Sequence, residues 1–372
     1  MTKHLYIHIP FCKNICSYCD FCRTKVTRDD DIMFKYVDLI IDYVKNESYK
    51  NQYSSIYIGG GTPNFLPDKL LDKLLLNLKT FLDKSNHYEF CLECNPEFIN
   101  DNQAKILLKH GVNRVSIGVQ TINNKILKAI GREHTIQDVQ KAINVLYKYK
   151  INNISLDFLY ALPKLSNDDL KGAIKFAVKN NIKHLSFYAL EIKDGALMKK
   201  QDVFVDEEQE AEQLEFIQKI LAENQYKRYE VSNWALEPEY ESIHNKAYWL
   251  TNDWKAIGIG ASGFEENVMY KWEGDYLNWK RVGYKLELKD LYLQVLMMGL
   301  RLVDGIDVIN NERNSEAYKT YFNDLTNCYI KNGNLKCINI NLLHESLLNI
   351  VDETKEKQLD NIINKVYEEE EN

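Results

Sequence analysis

The first half of the chain alternates two hydrophobic patterns. Short runs of β-branched and aromatic residues predict six strands, at 4–9, 55–58, 88–93, 114–119, 154–159 and 184–188. Longer stretches with apolar residues at helical spacing predict five helices, at 30–45, 67–82, 101–109, 136–149 and 167–178. Strand–helix units of about 30 residues that repeat in this way are typical of a parallel sheet covered by helices. They predict an α/β fold with a partial barrel rather than a closed one.

The second half has a different texture. A stretch rich in Glu and Gln at 206–223 predicts a helix, and RYEVSNWA at 228–235 predicts one more strand. Four tryptophans in irregular polar sequence indicate a packed connecting segment. A predicted helix at 292–302 and an acidic tail, interpreted as a solvated helix end, favour a small, mostly helical C-terminal domain. The predicted domains are a barrel at 1–235, a connecting segment at 236–284 packed on it, and the C-terminal domain at 285–372.

Composition and charge restrict the class of protein. The chain has 372 residues, of which 45% are hydrophobic and 27% charged, as in ordinary globular proteins. Its net charge of −7 offers no basic field for nucleic acid or anionic lipid, so we expect no nucleic-acid partner. No apolar run is long enough for a transmembrane segment, and we expect a cytoplasmic protein.

Half of the eight cysteines lie in one short run, IHIPFCKNICSYCDFC. Its spacing, Cys12-x3-Cys16-x2-Cys19, follows the first predicted strand directly. Three thiolates on one loop can each bind one iron of a four-iron cluster and leave the fourth iron open. The alternatives are a closed zinc site that pairs Cys16 and Cys19 with Cys91 and Cys94, or chance clustering of small apolar residues. Cys91 and Cys94 fit packing better than ligation, and chance also suits the last two cysteines, at 328 and 337.

CxxxCxxC at the end of a first strand resembles the signature of radical SAM enzymes. The wider string, YIHIPFC followed by YCDF, is similar to the coproporphyrinogen-dehydrogenase-like branch and most of all to its haem chaperone family, HemW. The resemblance implies a four-iron four-sulfur cluster on Cys12, Cys16 and Cys19, with S-adenosylmethionine (SAM) bound to the open iron. In such enzymes the reduced cluster cleaves SAM to a 5′-deoxyadenosyl radical. Tyr18, between two of these cysteines, is expected to shield the cluster from water.

The resemblance also implies a set of SAM contacts near the strand ends: Tyr6, Gly60, Gly61, Thr62, Glu93, Gln120, Arg132, Asp157 and Ala189. Three consecutive glycines permit close backbone approach, with a bare tight turn as the less favoured alternative, and no Walker lysine follows. Asp157 lies in an apolar run and needs a partner if buried, which Arg132 or a ligand would provide. Most of these polar residues lie at or beyond the carboxyl ends of the predicted strands, where barrels build their active sites. His8 fits a hydrogen-bonded core histidine.

Two features bear on the choice between an enzyme and a haem carrier. Coproporphyrinogen dehydrogenases usually extend the motif to CxxxCxxCxC, whereas this chain has Phe21 at that position and Cys22 one residue later. The HNxxYW motif of the haem chaperones is present, with His244, Tyr248 and Trp249 as implied haem-binding residues. Without the resemblance, the same residues would more often be a packing cluster. GIGASGFEEN departs from the family, whose members commonly carry a histidine shortly after GIGA.

The sequence therefore predicts a haem chaperone that holds a SAM-coordinating four-iron four-sulfur cluster. Its expected partners are haem, haem-acceptor proteins and a cytoplasmic electron donor. Two alternatives stay open: an oxygen-independent coproporphyrinogen III dehydrogenase, and a radical SAM modifier of RNA or protein. Whether the chain is an enzyme is undecided at this point, but we do not expect coproporphyrinogen III oxidase activity.

Overall fold

Strands and helices alternate through the part of the chain that the computed structural model describes, residues 3–343 apart from 86, 322 and 324. The strands are β1 (His4–Ile9), β2 (Phe11–Cys12), β3 (Thr24–Lys25), β4 (Ser55–Gly60), β5 (Glu89–Cys94), β6 (Arg114–Gln120), β7 (Asn153–Tyr160), β8 (His184–Ala189), β9 (Lys227–Arg228), β10 (Asn233–Ala235), β11 (Trp254–Ile257), β12 (Ser262–Glu265), β13 (Val268–Asp275), β14 (Asn278–Lys285), β15 (Ile306–Asp307), β16 (Cys328–Lys331) and β17 (Asn334–Cys337). The helices are α1 (Asp31–Glu47), α2 (Asp68–Leu78), α3 (Asp101–His110), α4 (Asn124–Ala129), α5 (Ile136–Lys148), α6 (Asn167–Lys179), α7 (Leu197–Lys200), α8 (Glu207–Glu223), α9 (Ile243–Trp249), α10 (Leu288–Gly299) and α11 (Glu312–Tyr321).

The centre of the main sheet is parallel. Its neighbouring strands are, in order, β11, β1, β4, β5, β6, β7 and β8. The six strands predicted from the sequence are among them, and each begins within one residue of its predicted start. The five predicted helices correspond to α1, α2, α3, α5 and α6. The expected α/β partial barrel is confirmed.

Side chains of strand β1 alternate between the hydrophobic core and the interior of the barrel. Leu5, Ile7 and Ile9 are fully buried in the main hydrophobic core with residues of the surrounding helices. The intervening Tyr6 and His8 face the opposite side, because side chains alternate along a strand. Tyr6 stacks on Tyr57 of β4 at 6.2 Å between ring centroids. Polar and aromatic side chains therefore line the interior of the barrel.

Antiparallel strands extend both edges of the sheet. The single strand predicted at 228–235 is two short strands, β9 and β10, that pair with each other beside β8. Between 236 and 284, where the pattern predicted no strand, the chain forms α9 and then β11 to β14. Strand β11 pairs in parallel with β1, so this segment is part of the sheet. Exposed charged residues interrupt the hydrophobic alternation of β13 and β14. The hydrophobic pattern therefore did not predict these two strands.

The C-terminal region packs around a smaller core. Helices α10 and α11 contact each other, and a three-stranded antiparallel sheet with the order β15–β17–β16 lies beside them. The helix expected at 292–302 is α10, displaced towards the N-terminus. The acidic tail at 367–372 lies outside the described residues. Among the described residues, no helix is long and apolar enough to cross a membrane.

Candidate functional site at the carboxyl ends of the strands

The cysteine loop is held over the barrel by backbone hydrogen bonds. Cys12 belongs to β2, and its carbonyl accepts from the Val26 amide at 3.0 Å, which brings the end of the loop back beside its start. In the middle of the loop, the Ser17 amide donates to the Ile130 carbonyl at 3.0 Å, and the Ser17 carbonyl accepts from the Met198 amide at 2.9 Å. Segments that follow β6 and β8 therefore position the loop.

The three motif cysteines differ in their surroundings. Cys12 is buried, and its sulfur lies 3.6 Å from the Thr62 hydroxyl; Cys16 and Cys19 are half-buried. Burial raises the pKa of the Cys12 thiol to about 11. A thiolate at this position therefore needs a bound cation to stabilise it near neutral pH.

Within the described residues, no three His, Cys, Asp or Glu side chains converge to hold a single metal ion. The finding is compatible with a cubane cluster, because each cysteine ligand of a cubane binds a different iron and the sulfurs need not converge on one point. Cys91 and Cys94 are buried in β5, as packing residues would be.

The glycine loop at the end of β4 is packed too closely for any side chain. A Cβ atom at Gly59 would lie 2.9 Å from the Glu93 carboxyl group, and one at Gly61 would lie 2.7 Å from the Cys12 sulfur. Gly60 has a φ of +116° and would place a Cβ 2.8 Å from the Ile9 carbonyl oxygen. The loop therefore joins the cysteine loop to Glu93 through backbone alone. Its Gly60 amide donates to Glu93, and its Gly61 amide donates to the Ile9 carbonyl at 2.8 Å.

Glu93 is a half-buried carboxyl group beside this loop. The Tyr57 hydroxyl donates to it at 2.7 Å and the Gly60 amide at 3.2 Å. Burial, with a further contribution from nearby Asp157, raises the pKa of Glu93 from 4.5 to about 7. A cationic group that approached the carboxylate would lower this pKa again, because it favours the charged form. The site is thus suited to an amino group.

The raised pKa of Glu93 makes stability depend on pH. The folded state holds this proton more tightly than the unfolded chain, so the free energy of unfolding should fall as pH rises from about 4.5 to about 7. We expect a loss of about 2 kcal/mol, discounted for the part of Glu93 that faces the barrel interior. Urea unfolding at about pH 5 and about pH 8 measures it. Glu93→Gln should reduce the difference and the exposed Glu239→Gln should not; an unchanged difference in Glu93→Gln would contradict the assignment.

Asp157 has partners that the sequence did not reveal. It accepts hydrogen bonds from the hydroxyls of Ser116, Ser155 and Ser186, at 2.6, 3.0 and 2.8 Å. The serines therefore bind Asp157 where Arg132 was expected, since the guanidinium of Arg132 bonds elsewhere; the contact of Asp157 with SAM stays a prediction. The three serines come from β6, β7 and β8, and only the strand register brings them together. Their signal in the sequence is the period-two spacing of polar residues in each strand, such as Ser155 before Asp157.

Arg132 lies beside the cysteine loop. Its guanidinium donates to the Gly118 carbonyl and to the Asn95 side chain at 3.1 Å, and it lies 3.8 Å from the Cys16 sulfur. Gln120, which follows Gly118 at an irregularity in β6, has a left-handed φ of 67°. Such backbone is costly for a residue other than glycine and is common at functional sites.

The remaining expected contacts occupy less distinctive positions. The Tyr6 hydroxyl lies 3.0 Å from Nδ1 of His8, whose Nε2 donates to the Cys22 carbonyl at 2.8 Å. His8 is therefore a buried histidine whose ring nitrogens both have hydrogen-bond partners. Tyr18 is half-buried near Cys16. Ala189 ends β8 opposite Tyr160.

The implied haem residues lie at the other end of the barrel. His244 is fully buried in α9, with Nδ1 2.7 Å from the Ser55 hydroxyl and Nε2 2.7 Å from the Tyr248 hydroxyl. Ser55 begins β4, whereas the cysteine loop follows the carboxyl end of β1. Both ring nitrogens of His244 are therefore engaged in this conformation. Trp249, at the end of α9, lies under the Arg301 guanidinium.

The GIGA segment is not close to His244. Gly260 packs against Cys22, since a Cβ at Gly260 would lie 2.3 Å from the Cys22 Cβ. Strand β11 separates the two regions, because α9 precedes it and Gly260 follows it. The GIGA segment and the implied haem residues therefore lie at opposite ends of β11.

The cysteine loop, the glycine loop and the parallel sheet together define a radical SAM protein, and the family described as "Radical SAM superfamily" matches residues 6–177. A Lactococcus lactis protein named "Heme chaperone HemW" is 34% identical over 333 residues, which cover 86% of this chain and 86% of the relative. A Bacillus subtilis protein of the same name is 34% identical over 271 residues, which cover 70% of this chain and 71% of the relative. This chain belongs to the HemW family.

A solved structure extends the similarity to the whole fold. Coproporphyrinogen III oxidase (HemN) from Escherichia coli, described as a radical SAM enzyme, matches with a TM-score of 0.77. The match covers 93% of this chain and 91% of that chain, at 17% sequence identity. At this identity the similarity establishes the fold and not the reaction.

Proposed function

We propose that this chain is a haem chaperone, which binds haem and passes it to acceptor proteins. The observation that carries the proposal is its 34% identity to a "Heme chaperone HemW" over 86% of both chains. Haem, acceptor proteins and an electron donor would be its partners. The net charge of −7 gives no reason to include nucleic acid among these partners.

The carboxyl end of the barrel would hold the cofactors. Cys12, Cys16 and Cys19 would ligate a four-iron four-sulfur cluster, which with SAM supplies one-electron chemistry. The glycine loop offers backbone groups to the methionyl part of SAM, and Glu93 offers a carboxylate to its amino group. Arg132 places a positive charge 3.8 Å from the Cys16 sulfur, beside the proposed cluster ligands.

The other expected SAM contacts surround this point. Tyr6, Thr62, Gln120, Asp157 and Ala189 would complete the pocket. Asp157 is held by three serine hydroxyls, so its carboxyl group is oriented before any ligand arrives. These residues would bind and orient SAM and exclude water from it.

Turnover of coproporphyrinogen is the main alternative. Against it, Phe21 occupies the position of the additional cysteine and is 62% exposed. Cys22, one residue later, packs against Gly260 in the turn before β12. The chain thus lacks the extended CxxxCxxCxC motif usual in those enzymes.

Ligation of haem by His244 is a separate proposal. It requires the hydrogen bonds of His244 to Ser55 or Tyr248 to open, because both ring nitrogens are occupied. Tyr248 and Trp249 would then flank the porphyrin. Opening of α9 at the amino end of the barrel would be the accompanying structural change.

Haem titration tests the function. We expect haem added to the anaerobically reconstituted protein to give a saturable Soret shift, and the loaded protein to pass haem to apomyoglobin as an acceptor probe. Absence of both would refute the chaperone proposal. With coproporphyrinogen and SAM we expect no protoporphyrinogen; clear turnover would favour the dehydrogenase.

The same titration of a His244→Ala variant tests the ligand. A weaker Soret shift in a variant that still folds, judged by circular dichroism, would support ligation. An unchanged shift would exclude His244 and leave it a structural role at the base of the barrel. Substitution of His110, a buried histidine on α3 that bonds to Asp72, provides the matched control.

A further inference from the structure

The C-terminal sheet contains a tight hairpin with a well-defined register. Strands β16 and β17 are joined by Asn332 and Gly333, whose φ angles are 53° and 86°. Two consecutive left-handed residues in an Asn-Gly pair form a type I′ turn, which fixes the pairing of the flanking strands. Cys328 and Cys337 lie directly opposite each other in this register.

The hydrogen bonds determine which kind of pair the two cysteines form. The Ile338 amide donates to the Asn327 carbonyl at 2.7 Å, one residue beyond each cysteine. Because hydrogen-bonded and non-hydrogen-bonded pairs alternate in an antiparallel ladder, Cys328 and Cys337 occupy a non-hydrogen-bonded position. Side chains approach each other most closely at such positions.

This position suits a disulfide. The bond requires Cβ atoms about 3.5–4.5 Å apart, and the non-hydrogen-bonded pair comes nearest to that separation. We propose that Cys328 and Cys337 form a reversible disulfide across the hairpin. No motif of the cofactor site involves either residue.

The disulfide would lie between the smaller core and a connection from the hairpin to the barrel. Cys328 packs against the smaller core around Leu335, so the bridge would lie on the core side of the hairpin. Just after Cys337 the chain reaches Asn341, which accepts from Arg228 at 2.6 Å and from Gln218 of α8 at 2.8 Å. The disulfide would fix the base of the hairpin from which this connection to the barrel departs.

The reaction is a thiol–disulfide exchange. One cysteine thiolate attacks oxidised glutathione and releases one glutathione thiol. The second cysteine then attacks the mixed disulfide and releases the other, so the protein loses two electrons and two protons. The Cys337 thiol, which donates to the Asn339 carbonyl at 3.1 Å, must turn away from it.

Peptide mapping tests the proposal. The reconstituted full chain is equilibrated anaerobically in glutathione buffers of increasing oxidised fraction, alkylated and cleaved with trypsin. Cleavage after Lys331 separates the two cysteines unless a disulfide joins their peptides. We expect the joined peptides from the native protein, their loss on added reductant, and none from Cys328→Ser.

A control pair in the same hairpin sharpens the test. Tyr329→Cys with Lys336→Cys, in a Cys328→Ser and Cys337→Ser background, places two cysteines at the adjacent hydrogen-bonded position. At fixed reduced glutathione, the native pair should be half oxidised at roughly tenfold less oxidised glutathione than the control pair. Equal or harder oxidation of the native pair, or its pairing with other cysteines, would overturn the proposal.

Discussion

Replacement of Cys16 by alanine should remove nearly all iron from the anaerobically reconstituted protein. With one of three protein ligands absent, the remaining two thiolates no longer hold a cubane at three corners. The measurement is iron and acid-labile sulfide per chain, together with the broad visible absorption of thiolate-to-iron charge transfer. We expect the same loss for Cys12→Ala and Cys19→Ala.

Two further cysteines provide the controls. Cys94→Ala, a change in a buried packing position of β5, should retain the iron of the native protein. Cys22→Ala should also retain it, because Cys22 packs against Gly260 rather than belonging to the three-cysteine motif. Retention of iron in Cys16→Ala would contradict the ligand assignment. Loss of iron in Cys22→Ala would show that the fourth corner is capped and closed to SAM.

The central strands could be predicted because their burial leaves a strong local signal. Strand β1 alternates fully buried aliphatic residues with polar ones, and the parallel strands beside it are similarly apolar on the outer face. Strands β13 and β14 lack this signal, because their hairpin lies at the sheet edge and most of its residues are not buried. Their position depends on the pairing of β13 with β12, which no local pattern encodes.

The candidate site divides in the same way. The cysteine loop could be recognised because three closely spaced thiolates suit the binding of an iron–sulfur cluster. The glycine loop could be recognised because only glycine fits beside Cys12 and Glu93. The three serines around Asp157 could not, because each is an ordinary residue until the register places it. The HNxxYW motif was recognised as a motif, but its contacts with Ser55 depend on how α9 meets the start of β4.

These contacts show that the two ends of the barrel are built differently. The carboxyl end presents the loops that would hold cofactors, whereas α9 closes the amino end. The closure is polar rather than apolar: Glu89, at the start of β5, accepts from the Ser242 hydroxyl and from the first amides of α9. A helix begins there because its free amide groups find a carboxylate. Glu89 should therefore contribute strongly to the stability of the barrel end that α9 covers.

Substitution of Glu89 by alanine is expected to lower the free energy of unfolding by about 3–5 kcal/mol. The change leaves Arg114, which is 2% exposed and 3.9 Å from Glu89, as a buried charge without its carboxylate, and it deprives α9 of its acceptor. Urea unfolding measures the effect. Lys73→Ala, which breaks an exposed ion pair with Asp38, should cost less than about 1 kcal/mol. Adding Arg114→Leu to Glu89→Ala should recover part of the loss, since the uncompensated charge is then removed; equal effects of Glu89→Ala and Lys73→Ala would refute the role of Glu89.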